Sequence, residues 1–123
     1  GSYSNGYFHM KTDIGTASSA MFLITVRGYA YGSSKVIFCQ TCGYCYSATD
    51  SIINVQNKSW DGTTEVTTYK ASDSTLVIRF NLGGWSSYYT GFCVDIQQQN
   101  PAKSGLNHKV TASAINTDAT HYA

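Results

Sequence analysis

Four cysteines are the residues of this sequence whose type and spacing could support chemistry directly. Cys39, Cys42 and Cys45 follow a C-x2-C-x2-C spacing, and Cys93 comes much later in the chain. Four thiolates could bind zinc or an iron–sulfur cluster, because soft sulfur ligands suit both. The segment has the pattern of a strand, however, in which Cys42 points away from the other two, so the three converge only at a bulge. We therefore predict small apolar side chains and no metal; a disulfide to Cys93 and a metal site are the alternatives.

Histidines, serines and carboxylates are not arranged at the spacing of a catalytic site. His9, His108 and His121 are far apart, and none has a partner at triad spacing. His9 is expected at the surface or in a subunit interface, with a histidine column on a symmetry axis as the alternative. Glu65 is the single glutamate, so a glycosidase would have to draw on scattered aspartates. The sequence predicts neither an enzyme nor a bound cofactor.

Aromatic residues beside turns are the remaining candidates for function. Trp60 comes directly before an Asp-Gly pair, and Trp85, Tyr88 and Tyr89 follow a Gly-Gly pair. Tyrosine and tryptophan near serine and asparagine make adaptable recognition surfaces, because their rings bury a large area at low entropy cost. These four residues are predicted to contact a ligand such as a glycan. The alternative is that Trp60 and Trp85 close the ends of a hydrophobic core.

Hydrophobic residues alternate with period two along most of the chain, which is typical of half-buried strands. No segment has a helical period. Eight strands in one domain predict an all-β fold, an antiparallel β-sandwich that is jelly-roll-like, with a small β-barrel as the alternative. The strands are predicted at residues 7–12, 21–30, 35–47, 51–55, 65–71, 76–81, 92–97 and 110–114. The inward-facing sets are predicted to be Phe22, Ile24, Val26 and Ala30; Leu76, Ile78 and Phe80; Phe92, Val94 and Ile96; and Val110, Ala112 and Ala114.

The composition indicates a single domain with few charges. Residues 1–2 have the sequence of an expression-tag remnant, and residues 3–123 are predicted to form one β-sandwich domain. Charged residues make up 12% of the chain, about half of the usual roughly 25%, and the net charge is +1. This balance argues against nucleic-acid binding, and the longest apolar run is too short for membrane insertion. Few charges and 10 tyrosines predict a homo-oligomer, because interface cores have that composition.

Several short segments suggest a family. They are GYFHMKT from Gly6, MFLITVRGYAYG from Met21, GYCYS from Gly43 and YYTGF from Tyr88. Together they span most of the chain from Tyr7 to Ile96, and they resemble modules of tail-fibre and related virion proteins of tailed bacteriophages. The segments that carry the resemblance contain no catalytic or ligand-binding motif.

That resemblance implies a non-enzymatic, trimeric, β-structured adhesin or structural module. The function expected from it is a module on the virion surface, outside cells, that binds a host-surface receptor such as a glycan. Two alternatives remain. One is a purely structural capsid or fibre piece whose aromatic residues are buried between subunits, and the other is a metal-binding domain built on the cysteines.

Overall fold

The computed structural model describes residues 6–30, 35–60, 64–81, 90–99 and 110–123; for residues 30, 35, 90–93 and 97–99 it describes the backbone alone. The described part contains eight strands and no helix, which confirms the predicted all-β class. The strands are β1 (Tyr7–Gly15), β2 (Met21–Ala30), β3 (Lys35–Tyr46), β4 (Ser51–Ser59), β5 (Val66–Lys70), β6 (Thr75–Asn81), β7 (Thr90–Gln99) and β8 (Val110–Asn116).

The strands form two antiparallel sheets that pack against each other. The first sheet has the strand order β5-β6-β1-β8, and the second sheet has the order β4-β3-β2-β7. Within the described residues each sheet keeps two edge strands, so the fold is a sandwich and the alternative of a closed barrel is wrong. Because β1 pairs with β8 and β2 with β7, the start of the chain is rolled against its end in a jelly-roll-like manner.

Inward-facing side chains of both sheets form one hydrophobic core. Two of the predicted inward sets contribute to it: Phe22, Ile24 and Val26 of β2, and Leu76, Ile78 and Phe80 of β6, are buried, whereas the Ala30 side chain lies outside the described residues. Full burial of one such aliphatic or aromatic side chain contributes about 1.5–3 kcal/mol. The prediction of which side of β2 and β6 faces the core is therefore confirmed. The buried core consists of Met10, Ile14, Ala20, Phe22, Ile24, Val26, Ile37, Cys39, Cys45, Val66, Leu76, Ile78 and Phe80.

The predicted orientation of β8 is wrong. Ala114 pairs with His9, and directly opposed residues of an antiparallel pair share a face, so Ala114 and Ala112 point away from the core. Val110, also predicted to face inward, is 45% exposed, whereas the exposure of Thr111 and Ser113 is as predicted. An alternation of alanine with threonine and serine has little hydrophobic contrast, and β8 is an edge strand, so pattern alone does not decide which face turns inward.

Asp50 connects three turns at one end of the sandwich. Its carboxylate accepts a hydrogen bond from the Thr16 hydroxyl at 2.5 Å and from the Ser74 hydroxyl at 2.7 Å. Thr16 follows β1 and Ser74 precedes β6, whereas Asp50 itself ends the turn between β3 and β4. Lys70 Nζ lies 3.7 Å from the same carboxylate. The bonds from Thr16 and then Ser74 hold the pKa of Asp50 below its ordinary value, with the Lys70 charge adding to the effect.

Candidate functional site

The three clustered cysteines do not converge. Cys39 and Cys45 are buried in the core, whereas Cys42 lies on the opposite face of β3 and is partly exposed, as strand alternation predicts. Cys93 lies opposite Arg27 in the pairing of β7 with β2, and its side chain is outside the described residues. Among the described residues, no three His, Cys, Asp or Glu side chains lie close enough to share a metal ion.

The Cys45 thiol is expected to be unreactive at neutral pH. Burial, followed by the nearby Asp50 carboxylate, raises the pKa of Cys45 to about 11. At neutral pH this side chain is therefore a thiol and not a thiolate, and the thiolate is the form that attacks electrophiles and binds metals. Cys45 thus serves as a small apolar core residue.

The expectation for His9 is wrong. It is fully buried, because β1 lies inside the first sheet and residues 117–123 cover its outer face. Its ring contacts those of Tyr69, His121 and Tyr122. A histidine between two apolar residues of a strand gives no local signal that a distant segment will cover it, so sequence reasoning missed this cluster.

The outer face of the second sheet carries two exposed apolar patches. Their members follow from the pairing register, because opposed residues share a face. A polar band separates the patches; it contains Thr25, Gln40 and the Arg27–Asp95 ion pair, whose N···O distance is 2.7 Å. One patch, here called the Trp60 patch, consists of Tyr29, Val36, Phe38 and Trp60. The other, the Met21 patch, consists of Met21, Leu23, Cys42, Tyr44, Tyr46 and Ile53.

Trp60 is fixed in place although 60% of it is exposed. Its backbone N–H donates to the Phe38 carbonyl at 2.9 Å, which extends the β3–β4 pairing by one residue. The rings of Phe38 and Trp60 meet edge to face, with 5.9 Å between their centroids. Lys58 Nζ lies 4.8 Å from the Trp60 ring centroid, and the indole N–H points towards Gln40 Oε1 at 3.4 Å. Trp60 therefore does not close the core but stands at the surface between polar neighbours.

The Met21 patch contains an open groove of about 640 Å³. Gly43 lines it together with Phe22 and with Asn54, which forms a bulge of β4 where φ is 54°. Met21, Cys42 and Tyr44 of the patch also line it. Met21 is 44% exposed. The sequence did not predict a functional role for it, because an apolar residue in an alternating strand is normally explained by the fold alone.

The other predicted contact residues, Trp85, Tyr88 and Tyr89, lie outside the described residues. Their contact with the same ligand as Trp60 therefore remains a prediction. In the described part of the chain, no helix has the length and apolar character needed to cross a membrane.

Fold and surface together define a class, namely an eight-stranded β-sandwich with exposed aromatic and aliphatic residues on one outer face. Comparison with family models, curated proteins and solved structures finds no match to this chain.

Proposed function

We propose that this chain is a non-enzymatic module of the virion surface, of the tail-fibre kind, that binds a host-surface glycan through the Trp60 patch. The observation that carries the proposal is the Trp60 ring, which is 60% exposed yet held by Phe38 and by a backbone hydrogen bond. A large side chain that is already ordered loses little entropy when a ligand binds to it.

The surroundings of Trp60 suit a sugar better than a purely apolar ligand. The C–H face of a pyranose ring can stack on the indole, while its hydroxyl groups need hydrogen-bonding partners. Lys58 and Gln40 supply a donor and an amide beside the ring. Tyr29, on the same face, adds a second aromatic side chain that is 48% exposed. Trp85, Tyr88 and Tyr89 are proposed to extend this site.

The Met21 patch supports the oligomeric part of the proposal. Met21, Leu23 and Tyr46 are each more than one-third exposed, and such an apolar surface on a chain with 12% charged residues is typical of subunit interfaces. We assign this patch to contacts between copies of the chain. The number of copies, three, comes from the resemblance to tail-fibre modules.

The second candidate is a purely structural assembly module. The groove beside Gly43 favours it, because an open apolar depression of about 640 Å³ could receive a side chain of a neighbouring subunit. In that case both patches are buried in the assembled fibre, and no glycan binds. Iodide quenching of fluorescence separates the two candidates in a Trp85→Phe variant, in which Trp60 is the single tryptophan. Quenching in the oligomer supports the glycan site, and protection supports the structural module.

The glycan site is tested with Trp60→Ala on immobilised bacterial lipopolysaccharides and capsular polysaccharides. We expect Trp60→Ala to weaken binding at least tenfold while the fold, measured by circular dichroism, is unchanged. Val110→Ala is the matched control, because Val110 is 45% exposed on the first sheet, away from the site. Equal binding by wild type and Trp60→Ala contradicts the assignment, and so does a wild type that binds none of these polysaccharides.

The assembly is tested by light scattering at several concentrations. We expect a mass near three times 13.4 kDa, and a monomer when Leu23→Asp places a charge in the Met21 patch. Val110→Asp is the control, since Val110 is 45% exposed but lies on β8 of the first sheet, away from the Met21 patch. A wild-type monomer contradicts the oligomer.

A further inference from the structure

Residues 117–123 lie across the outer face of the first sheet, on the side opposite the core. They are attached through hydrogen bonds to β5, to β6 and to the turn between these strands. The bonds run from Arg79 Nη1 to Ala119 O at 2.7 Å, from Ser72 N to Tyr122 O at 3.0 Å, and from Tyr122 N to Tyr69 Oη at 3.1 Å.

His9 lies on β1 beneath this segment and has no exposed surface. Its ring centroid is 5.6 Å from that of His121 and 6.1 Å from that of Tyr122. Its Nδ1 atom is 2.8 Å from the Tyr69 hydroxyl, which also accepts the N–H of Tyr122. Tyr69 can therefore donate its own hydrogen to a neutral His9, so that one chain of hydrogen bonds joins the segment to β1.

A proton on His9 conflicts with this arrangement. Protonated Nδ1 becomes a donor, so the Tyr69 hydroxyl hydrogen loses its acceptor. The other ring nitrogen, Nε2, is buried without a hydrogen-bond partner, and a charged imidazolium needs partners at both nitrogens. Protonation therefore reverses the bond between Nδ1 and Tyr69, leaves the Tyr69 hydroxyl hydrogen without this acceptor, and places a charge on a buried ring whose Nε2–H has no partner.

The surrounding charges act in the same direction. Burial lowers the pKa of His9 most, and the charges of His121 and Arg79 lower it further. The backbone carbonyls of Asn116 and Asp118 oppose this change, but neither makes a hydrogen bond of normal geometry to Nε2. The Asp118 carboxylate is already engaged, since it accepts the N–H of Thr120 at 2.9 Å. The titratable and charged groups around the ring are Tyr7 on β1, Tyr69 on β5, Arg79 on β6, and Asp118, His121 and Tyr122 in the segment.

We propose that residues 117–123 form a pH-sensitive latch, which is closed over the first sheet while His9 is neutral and opens when His9 takes up a proton. The latch is independent of the proposed glycan site, because it lies on the other sheet. Opening uncovers Val77 and Tyr69 on β6 and β5, whose side chains share that outer face. The protein thereby gains an apolar surface on the first sheet in acid.

The direction follows from linkage between proton binding and opening. His9 has its ordinary pKa when the latch is open and a lower one when it is closed, so the closed state weakens as the pH falls through the ordinary value. A histidine with a pKa of about 6.5 is almost fully protonated at pH 5.0, so the opening constant rises by up to about thirtyfold from pH 7.5 to pH 5.0.

The test uses amide hydrogen exchange and NMR titration of the complete chain. We expect the Tyr122 and Ser72 amides to lose up to about thirtyfold of their protection from pH 7.5 to pH 5.0, after correction for intrinsic exchange. The Ile24 amide, in the core of the second sheet, should keep its protection. In the variant His9→Gln the response should disappear, whereas His121→Asn should retain most of it.

Three results overturn the latch. One is wild-type protection of Tyr122 that does not change with pH. Another is a Tyr122 amide whose titration midpoint follows the His121 ring and not the His9 ring. The third is a folded His9→Gln variant that keeps the full response. Should His9→Gln fail to fold, the wild-type titration decides alone, because it resolves the two rings separately.

Discussion

Among the glycines that the structure describes, Gly43 is the position where one added methyl group should disturb this fold most directly. A Cβ atom there would lie 2.7 Å from Cζ of Phe22 and 3.2 Å from Cγ2 of Val55, whereas carbon atoms in contact are normally about 3.5–4.0 Å apart. Val55 is 43% exposed and can move aside. Phe22 packs in the core, so a shift of its ring, even towards the groove that it lines, breaks packed contacts.

The size of the effect follows from this overlap. Overpacking of a core by one methyl group typically destabilises a protein by about 1–3 kcal/mol, and we expect that loss for Gly43→Ala. Urea unfolding measures it as a lower transition midpoint with an unchanged slope. Gly15→Ala is the matched control, because a Cβ atom at Gly15 would meet only the Ser18 Cβ within 4 Å, at an ordinary 3.7 Å. Its effect should stay within about 0.5 kcal/mol.

A double-mutant cycle tests the assigned cause. Phe22→Leu removes the ring atoms that the new methyl group would strike, so it should destabilise the Gly43→Ala background less than it destabilises the wild type. We expect a coupling energy of at least about 1 kcal/mol, in the direction of rescue. Additivity of the two changes within about 0.5 kcal/mol would refute the steric argument, and so would a Gly43→Ala variant as stable as the wild type.

Three further predictions concern side chains that take no part in the contact between Gly43 and Phe22. Asp50→Asn should lower stability at pH 7, and because the pKa of Asp50 is held below its ordinary value, the difference from wild type should shrink as the pH falls below about 4; a difference independent of pH contradicts the three-turn connection. Iodoacetamide at pH 8 should label Cys42 in the folded protein and Cys45 only after unfolding, as read by peptide mass spectrometry, and equal labelling would contradict the burial of Cys45. Arg27→Ala should change the free energy of unfolding by less than about 0.5 kcal/mol, because its ion pair with Asp95 is more than half exposed; thermal denaturation checks this, and a larger loss would mean that the pair is not a simple surface contact.

The strands and the core face were predictable because they depend on a local property. Side chains of a strand point alternately to its two faces, so Phe22, Ile24 and Val26 had to share one side of β2 whatever the strand packed against. The same rule separated Cys42 from Cys39 and Cys45. It failed at β8, where small residues alternate with polar ones and the pairing register decides the face.

The candidate site was only partly predictable. Trp60 was selected because a tryptophan beside an Asp-Gly turn is typical of a surface position, and the structure exposes it; its contact with a ligand stays a prediction. Met21 and Leu23 were not identified, because a single outward-facing apolar residue in a strand is common. It indicates a patch only when its neighbours on adjacent strands are known. The Met21 patch exists because the register brings Tyr44 and Cys42 beside them.

By itself the sequence determined the class of fold, the number of strands in the described residues and the inward side of β2 and β6, because alternation along a pleated strand depends on consecutive residues. Tertiary structure alone decided which distant groups meet. His9 is buried because residues 117–123 return to cover it, and Thr16 and Ser74 bond to Asp50 because three separate turns end at one edge of the sandwich. Such contacts between distant residues depend on strand order and register, which no short stretch of sequence determines.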